Sequence, residues 1–144
     1  MIAVGSDHAG FEYRQTVEAF LREQGQEVIS LGAMSLDPYD YPDASDEVVA
    51  QVLGGKAEYG ILICGSGIGV SIRANRHPGI RAALCTSVEM ATLARAHNYA
   101  NVLCLGARIT PPDLALEIVS AFLDGHEDHA VRHENRVAKL DGNI

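Results

Sequence analysis

The chain has 144 residues, 47% hydrophobic and 21% charged, an ordinary globular composition with enough apolar residues for a substantial core. A net charge of −8 argues against general nucleic-acid binding, and no apolar run reaches the length of a membrane span. Met1-Ile2-Ala3-Val4-Gly5 is too short and uncharged for a secretory leader and reads as a first strand.

Residues 1–144 are expected to form one domain. Ile2 to Val4 is a short apolar strand, followed by the polar loop Gly5-Ser6-Asp7-His8-Ala9-Gly10. Tyr13, Val17, Phe20 and Leu21 then recur with helical spacing, and Gly25 ends that helix. Val28 to Leu31 is a second strand. Residues 32–43 form a loop rich in Asp, Pro and Tyr, and loops of this length are often functional. A helix over Ala44 to Leu53 stops at Gly54-Gly55. Tyr59 to Cys64 is strand three, Ser66 to Asn75 helix three, Ile80 to Cys85 strand four and Ser87 to His97 helix four. Val102 to Leu105 is strand five. Thr110 is expected to cap a helix that has Pro111 at its first position and Gly125 at its end. The polar tail from His126 to Ile144 holds a helix over Ala130 to Leu140, weakly amphipathic and expected to pack on the domain surface or on a second subunit. Uniformly apolar strands alternating with helices indicate a parallel sheet covered on both faces.

The stretch Gly60-Ile61-Leu62-Ile63-Cys64-Gly65-Ser66-Gly67-Ile68-Gly69 joins a buried strand to a helix through glycines. Ligands of open α/β sheets sit at the carboxyl ends of strands. Glycines let the backbone approach a ligand, free N–H groups hold an anion, and helix N-termini favour the thiolate of a nearby cysteine. The same rim would collect Asp7, His8, Tyr41 and Arg108. His97 and Asn98 end helix four and so belong to the opposite rim, which argues for a dimer whose second subunit completes the site. Nine of the eleven basic residues are arginines, suited to phosphate recognition. Cys64, Cys85 and Cys104 are odd in number and form no CxxC pair, so a disulfide framework or zinc ribbon has no support and a reducing cytoplasm is the expected setting. Cys85 and Cys104 read as core.

Several phosphate and nucleotide motifs fail. Gly65, Gly67 and Gly69 give GxGxG in the third unit, not a dinucleotide fingerprint in the first. No Gly-Lys-Ser/Thr of a P-loop occurs, and the position where a cysteine phosphatase needs its arginine is Val70. Asp7-His8 alone is too little for a metal site. A thiol base beside an oxyanion cradle instead suits proton abstraction next to a carbonyl.

The chain resembles the type B ribose-5-phosphate isomerase family, which includes allose- and galactose-6-phosphate isomerases. The matching motifs are Gly5-Ser6-Asp7-His8-Ala9-Gly10-Phe11, Asp40-Tyr41-Pro42, the Gly60 to Gly69 stretch, Ala96-His97-Asn98, Asn101 to Arg108, and Arg132-His133-Glu134-Asn135-Arg136-Val137. The resemblance implies a Rossmann-like three-layer α/β/α sandwich, a homodimer or tetramer with a shared site, a phosphorylated sugar as substrate, and no metal or other cofactor. It implies that Cys64 moves a proton between C1 and C2 and that His97, helped by Ser66, opens the furanose ring. Asp7 and Tyr41 would hold sugar hydroxyls, and His8, Arg108, Arg132 and Arg136 would surround the phosphate. Asn98 and the N–H groups of Gly65, Ser66, Gly67, Ile68 and Gly69 would stabilise a cis-enediolate. One branch of the family carries a glutamate base further along this loop. Here that part carries Val70 and Cys64 is intact, as in the cysteine-dependent branch.

Overall fold

The computed structural model describes residues 1–142; Asn143 and Ile144, the end of the polar tail, lie outside them. The elements alternate along the chain: β1 (Ile2–Ser6), α1 (Phe11–Glu23), β2 (Val28–Gly32), α2 (Tyr41–Leu53), β3 (Tyr59–Cys64), α3 (Ile68–Ala74), β4 (Ala82–Leu84), α4 (Val88–Asn98), β5 (Val102–Gly106), α5 (Pro112–Asp124) and α6 (Val131–Leu140). The five strands form one parallel sheet in the order β2-β1-β3-β5-β4. This is the expected Rossmann-like three-layer arrangement.

Side chains alternate across each strand, and the two faces build separate cores. Ile61 and Ile63 of β3 join Val17 and Leu21 of α1, Ala91 of α4, and Ile118 and Phe122 of α5. Leu62 and Cys64 join Val48 and Val49 of α2 and Val70 and Ala74 of α3. Cys64 therefore faces the thinner α2–α3 layer. Each fully buried large apolar side chain contributes about 1.5–3 kcal/mol. The connections from β1 to β2 and from β2 to β3 run to opposite sides of β1, so the strand order reverses between β1 and β3. A crevice opens at such a point beyond the carboxyl ends of the strands.

Several boundaries differ from expectation. Helix α2 starts at Tyr41 rather than Ala44, because Pro42 fits a first turn, where no amide hydrogen is needed. Strand β4 is confined to Ala82–Leu84; the N–H of Arg81 donates to the Asn101 side chain at 2.9 Å instead of to a ladder. Thr110 does not cap α5. The cap is Pro111, and Thr110 is buried with its carbonyl accepting from the Tyr13 hydroxyl at 2.7 Å. Helix α6 lies on α4 of its own chain, burying His133 and Val137 while Arg132 and Arg136 stay exposed. Its sidedness is marked, but it is made by a histidine and a valine set against arginines. Among the described residues no helix is long and apolar enough to cross a membrane.

Candidate active site

A cleft of ≈ 550 Å³ opens beyond β1 and β3, with Asp7, Cys64, Gly65, Ser66 and Arg108 in its lining. Cys64 is only 5% exposed, yet it faces this space. Its Sγ accepts from the Gly67 N–H at 3.2 Å. Gly67 makes that turn at φ +79, and a Cβ there would lie 2.6 Å from Leu84 and 2.9 Å from the Leu105 backbone. The turn thus requires glycine both for its conformation and for space. The Ser66 hydroxyl accepts from the Ile68 N–H at 3.2 Å. Among the described residues no backbone acceptor takes the N–H groups of Gly65, Ser66 or Gly69. These donors line the pocket beside the sulfur, as an oxyanion cradle requires.

The walls of the cleft come from neighbouring segments. The Arg108 N–H donates to the Gly65 carbonyl at 2.9 Å, and its guanidinium lies against Gly65, where a Cβ would come 3.1 Å from Nη1. Arg108 is exposed and, among the described residues, forms no ion pair. Tyr41, the first residue of α2, lays its ring on Gly69, where a Cβ would meet it at 2.5 Å. Asp7 has two positions of contact. Its Oδ1 accepts from the Gly10 N–H at 3.0 Å, which orders the entry to α1, and the residue also lines the cleft. Ile72 and Ile109 complete the wall. Neither was singled out in the sequence, although Ile72 lies one helical turn after Ile68 and Ile109 follows Arg108.

His8 stands next to Asp7 without lining the cleft itself. Its Nδ1 accepts from the Tyr39 N–H at 3.0 Å, which leaves the ring hydrogen of the neutral form on Nε2. Tyr39 is anchored in turn. Its hydroxyl donates to Glu47, whose second oxygen accepts from the Gly32 N–H at 2.8 Å. The hydrogen bond to Glu47, with burial, pushes the Tyr39 phenol up to about 12. Residues 33–40 are thereby tied at both ends, and Tyr39 and Glu47 are contacts that span too much sequence to be read from it.

His97, Asn98, Arg132 and Arg136 do not join this group. Helix α4 ends at Asn98, and the chain turns through Tyr99, at φ 51, into the amino end of β5. Cys64 stands at the opposite edge of the sheet, and none of the four lines its cleft. Arg81 ties their scaffold together, donating to the carbonyls of Asn98 and Tyr99 at 3.0 Å and to Asp141, at the end of α6, at 2.9 Å. Arg132 and Arg136 are exposed, one turn apart, and form no ion pair among the described residues. The ring of His97 is stacked on that of His133, with centroids 4.2 Å apart and planes 10° apart. His97, Asp128 and His133 hold their ligand atoms within 4.8 Å of one another. Stacked rings aim their lone pairs side by side rather than at one point, so a metal would need one ring to turn.

Cys85 and Cys104 are buried, as expected of core residues, and burial pushes the Cys85 thiol up to about 11 and that of Cys104 well above its ordinary value. All three cysteines are free.

A cysteine, an amide cradle and an arginine at the switch point of a parallel α/β sheet are the arrangement expected of a sugar-phosphate isomerase. The family described as Ribose/Galactose Isomerase matches residues 2–140, and the chain belongs to that family. It is 45% identical over 139 residues to ribose-5-phosphate isomerase B of Escherichia coli K12, covering 96% of this chain and 93% of that one. To ribose-5-phosphate isomerase B of Mycolicibacterium paratuberculosis it is 41% identical over 137 residues, covering 94% and 86%. Among solved structures, Clostridium thermocellum ribose-5-phosphate isomerase B superposes with a TM-score of 0.96 at 44% identity, over 98% of this chain and 95% of that one. The Trypanosoma brucei type B enzyme gives 0.95 at 44%, over 99% and 97%.

Proposed function

We propose that the chain is an aldose–ketose isomerase that interconverts ribose 5-phosphate and ribulose 5-phosphate. The observation that carries this reading is Cys64 at the floor of the ≈ 550 Å³ cleft, beside the amides of residues 65–69 and below Arg108. His97, assisted by Ser66, opens the furanose ring. The Cys64 thiolate then takes the hydrogen on C2 as a proton. The electron pair of that C–H bond forms the C1–C2 double bond, and negative charge collects on O1. The amides and Asn98 hold this cis-enediolate. The O2 hydroxyl proton passes to O1, the thiol returns its hydrogen to C1, and a ketone is left at C2 with no atom gained or lost. Each lost oxyanion donor costs about 2.7–4 kcal/mol in comparable sites. Asp7 and Tyr41 hold hydroxyls, while His8, Arg108, Arg132 and Arg136 hold the phosphate and so fix the sugar against the base.

The separation of His97, Asn98, Arg132 and Arg136 from Cys64 supports a homodimer or larger assembly in which a second copy brings them to the cleft. Helix α4, which carries His97, also exposes Val88, Met90 and Leu93 beside the edge strand β4, an apolar face suited to a second copy. A thiol base without a disulfide partner suits a reducing cytoplasm.

The test is Cys64→Ala, assayed with four-, five- and six-carbon aldose phosphates. Turnover is expected to vanish while binding of ribose 5-phosphate, followed by calorimetry, stays close to that of the parent. Near-normal turnover would refute the base. A parent active only on a tetrose or hexose phosphate would move the substrate and leave the chemistry in place.

A further inference from the structure

His133 is a buried imidazole with no assigned work. It is 6% exposed, and among the described residues its Nε2 has no hydrogen-bond partner. An unpaired buried nitrogen is costly and needs an explanation. The oxygen facing it is Oδ2 of Asp128, at 3.5 Å. Asp128 is itself held from three directions. Its N–H donates to the Ala96 carbonyl at 2.9 Å, its Oδ1 accepts from the Ala130 N–H at 2.9 Å, and its carbonyl accepts from the Tyr99 hydroxyl at 2.8 Å. Tyr99 is the one non-glycine residue with positive φ among those described, and it follows directly on His97 and Asn98. The backbone departure that ends α4 thus also places the Asp128 carboxylate beside the stacked histidines.

Two imidazoles with centroids 4.2 Å apart cannot both carry charge without strong repulsion. Burial first, then His97 and Arg132, holds His133 below its ordinary value, with Asp128 opposing and Arg136 adding to the effect. These are the charged groups that act on His133 from α4, from α6 and from the segment between α5 and α6; Glu127 and Glu134 act on Tyr99, and Glu134 also pairs with His129. The buried ring is therefore the neutral member of the stack. A general acid for ring opening needs a proton to give and a fixed ring plane.

We propose that His133 and Asp128 are positioning residues for His97. The flat face of His133 fixes the plane of the His97 ring, and Asp128 orients His133 and sets a negative charge beside the pair. The proposal rests on the reading above that His97 opens the sugar ring.

The experiment compares two rates in the full-length protein across a pH series. One is turnover of ribose 5-phosphate, which needs ring opening. The other is transfer of deuterium from D₂O into C1 of ribulose 5-phosphate, an open-chain ketose because its O5 is esterified. That exchange needs the thiol and the enediolate cradle but no ring opening. In His133→Ala, aldose turnover is expected to fall about tenfold or more, with C1 exchange kept within about twofold. His133→Phe supplies a flat neutral ring and is expected to recover most of that loss. In Asp128→Asn the alkaline limb of aldose turnover is expected to move to lower pH, because a negative charge next to the pair is gone, while the exchange profile stays in place. Parental turnover in both His133→Ala and Asp128→Asn, or exchange falling in step with turnover, would overturn the proposal. Should His133→Ala fail to fold, His133→Phe and Asp128→Asn carry the same comparison. His97→Ala separates the two readings: lost aldose turnover there, with His133→Ala and Asp128→Asn intact, removes the positioning role alone, whereas intact turnover in His97→Ala removes both.

Discussion

At the scale of single residues, three thiols in one chain differ by what surrounds them. Cys104 is enclosed between β3, β4 and β5, and burial pushes its thiol well above the ordinary value; Cys85 is pushed up to about 11 for the same reason. Both stay protonated and buried, although Cys85 also borders a smaller hollow of ≈ 240 Å³ against α4, and the thiolate is the reactive form. Cys64 faces the larger cleft and takes an N–H on its sulfur. Iodoacetamide on the native protein is therefore expected to label Cys64, with ribose 5-phosphate protecting it, and to leave Cys85 and Cys104 untouched until urea is added. Peptide mass mapping reads this directly, and native labelling of Cys85 or Cys104 would contradict it. The glycines next to Cys64 matter at the same scale. Gly69 is the floor on which the Tyr41 ring rests, and Gly67 turns the chain so that its amide meets the sulfur.

At the scale of elements, a buried ion pair fastens α1 to the sheet just before Asp7. Arg14 Nε donates to Glu18 at 2.7 Å, its Nη1 donates to the Ser6 hydroxyl at 3.1 Å and to the Leu31 carbonyl, and Glu18 also accepts from the Ser30 hydroxyl. Both residues are under 5% exposed. Without Arg14 the buried Glu18 carboxylate keeps only the exposed Arg22 at 3.6 Å and the Ser30 hydroxyl, so Arg14→Ala is expected to lower stability by about 3 kcal/mol, whereas a paired Arg14→Met, Glu18→Leu replacement costs less. Urea denaturation of the two variants checks this, and a midpoint unchanged in Arg14→Ala would refute it. None of this network could be read from Arg14 and Glu18 beyond their helical spacing. The strands were legible because each is an unbroken apolar run, and the Cys64 loop because its glycines leave few other conformations. The start of α2 was not, since Tyr41-Pro42 reads equally as loop or first turn. The His8–Tyr39–Glu47 chain was hidden because its contacts depend on how residues 33–40 fold back. The pairing of His133 with His97 could not be read from the sequence, because His97 and Asp128 meet it only once α6 lies on α4.

At the scale of the whole molecule, two further expectations follow from the proposed half-site on α4 and α6. The first concerns pH. Burial, with His97 and Arg132, holds His133 below its ordinary 6.5, so between that depressed value and 6.5 the unfolded chain binds more protons than the folded one. The stability this contributes is fully present above 6.5 and is lost as pH falls through the folded value. At fixed protein concentration the melting temperature is expected to drop from about pH 7.5 to about pH 5.5, and to drop less steeply in His133→Phe, which cannot take the proton. Parallel curves for parent and variant would assign the acid sensitivity elsewhere.

The second concerns assembly. If a cleft takes Cys64 from one chain and His97 from another, Cys64→Ala and His97→Ala each spoil every site in their own homodimer. A mixed dimer differs: one cleft combines the intact Cys64 of the second variant with the intact His97 of the first, and the other cleft lacks both. Half the sites of such a dimer are whole. With random pairing of equal amounts, half the dimers are mixed, so co-refolding two inactive proteins is expected to restore about a quarter of parental activity per chain. A cleft built from a single chain would give no recovery at any ratio, because every cleft would then carry one defect or the other. The topology argues for the first outcome: α4 delivers His97 to the amino edge of the sheet, β3 delivers Cys64 to the carboxyl edge, and both segments are fixed in place, by Arg81 and Asp128 on one side and by Gly67 on the other. Neither end has slack with which to reach the other within one chain.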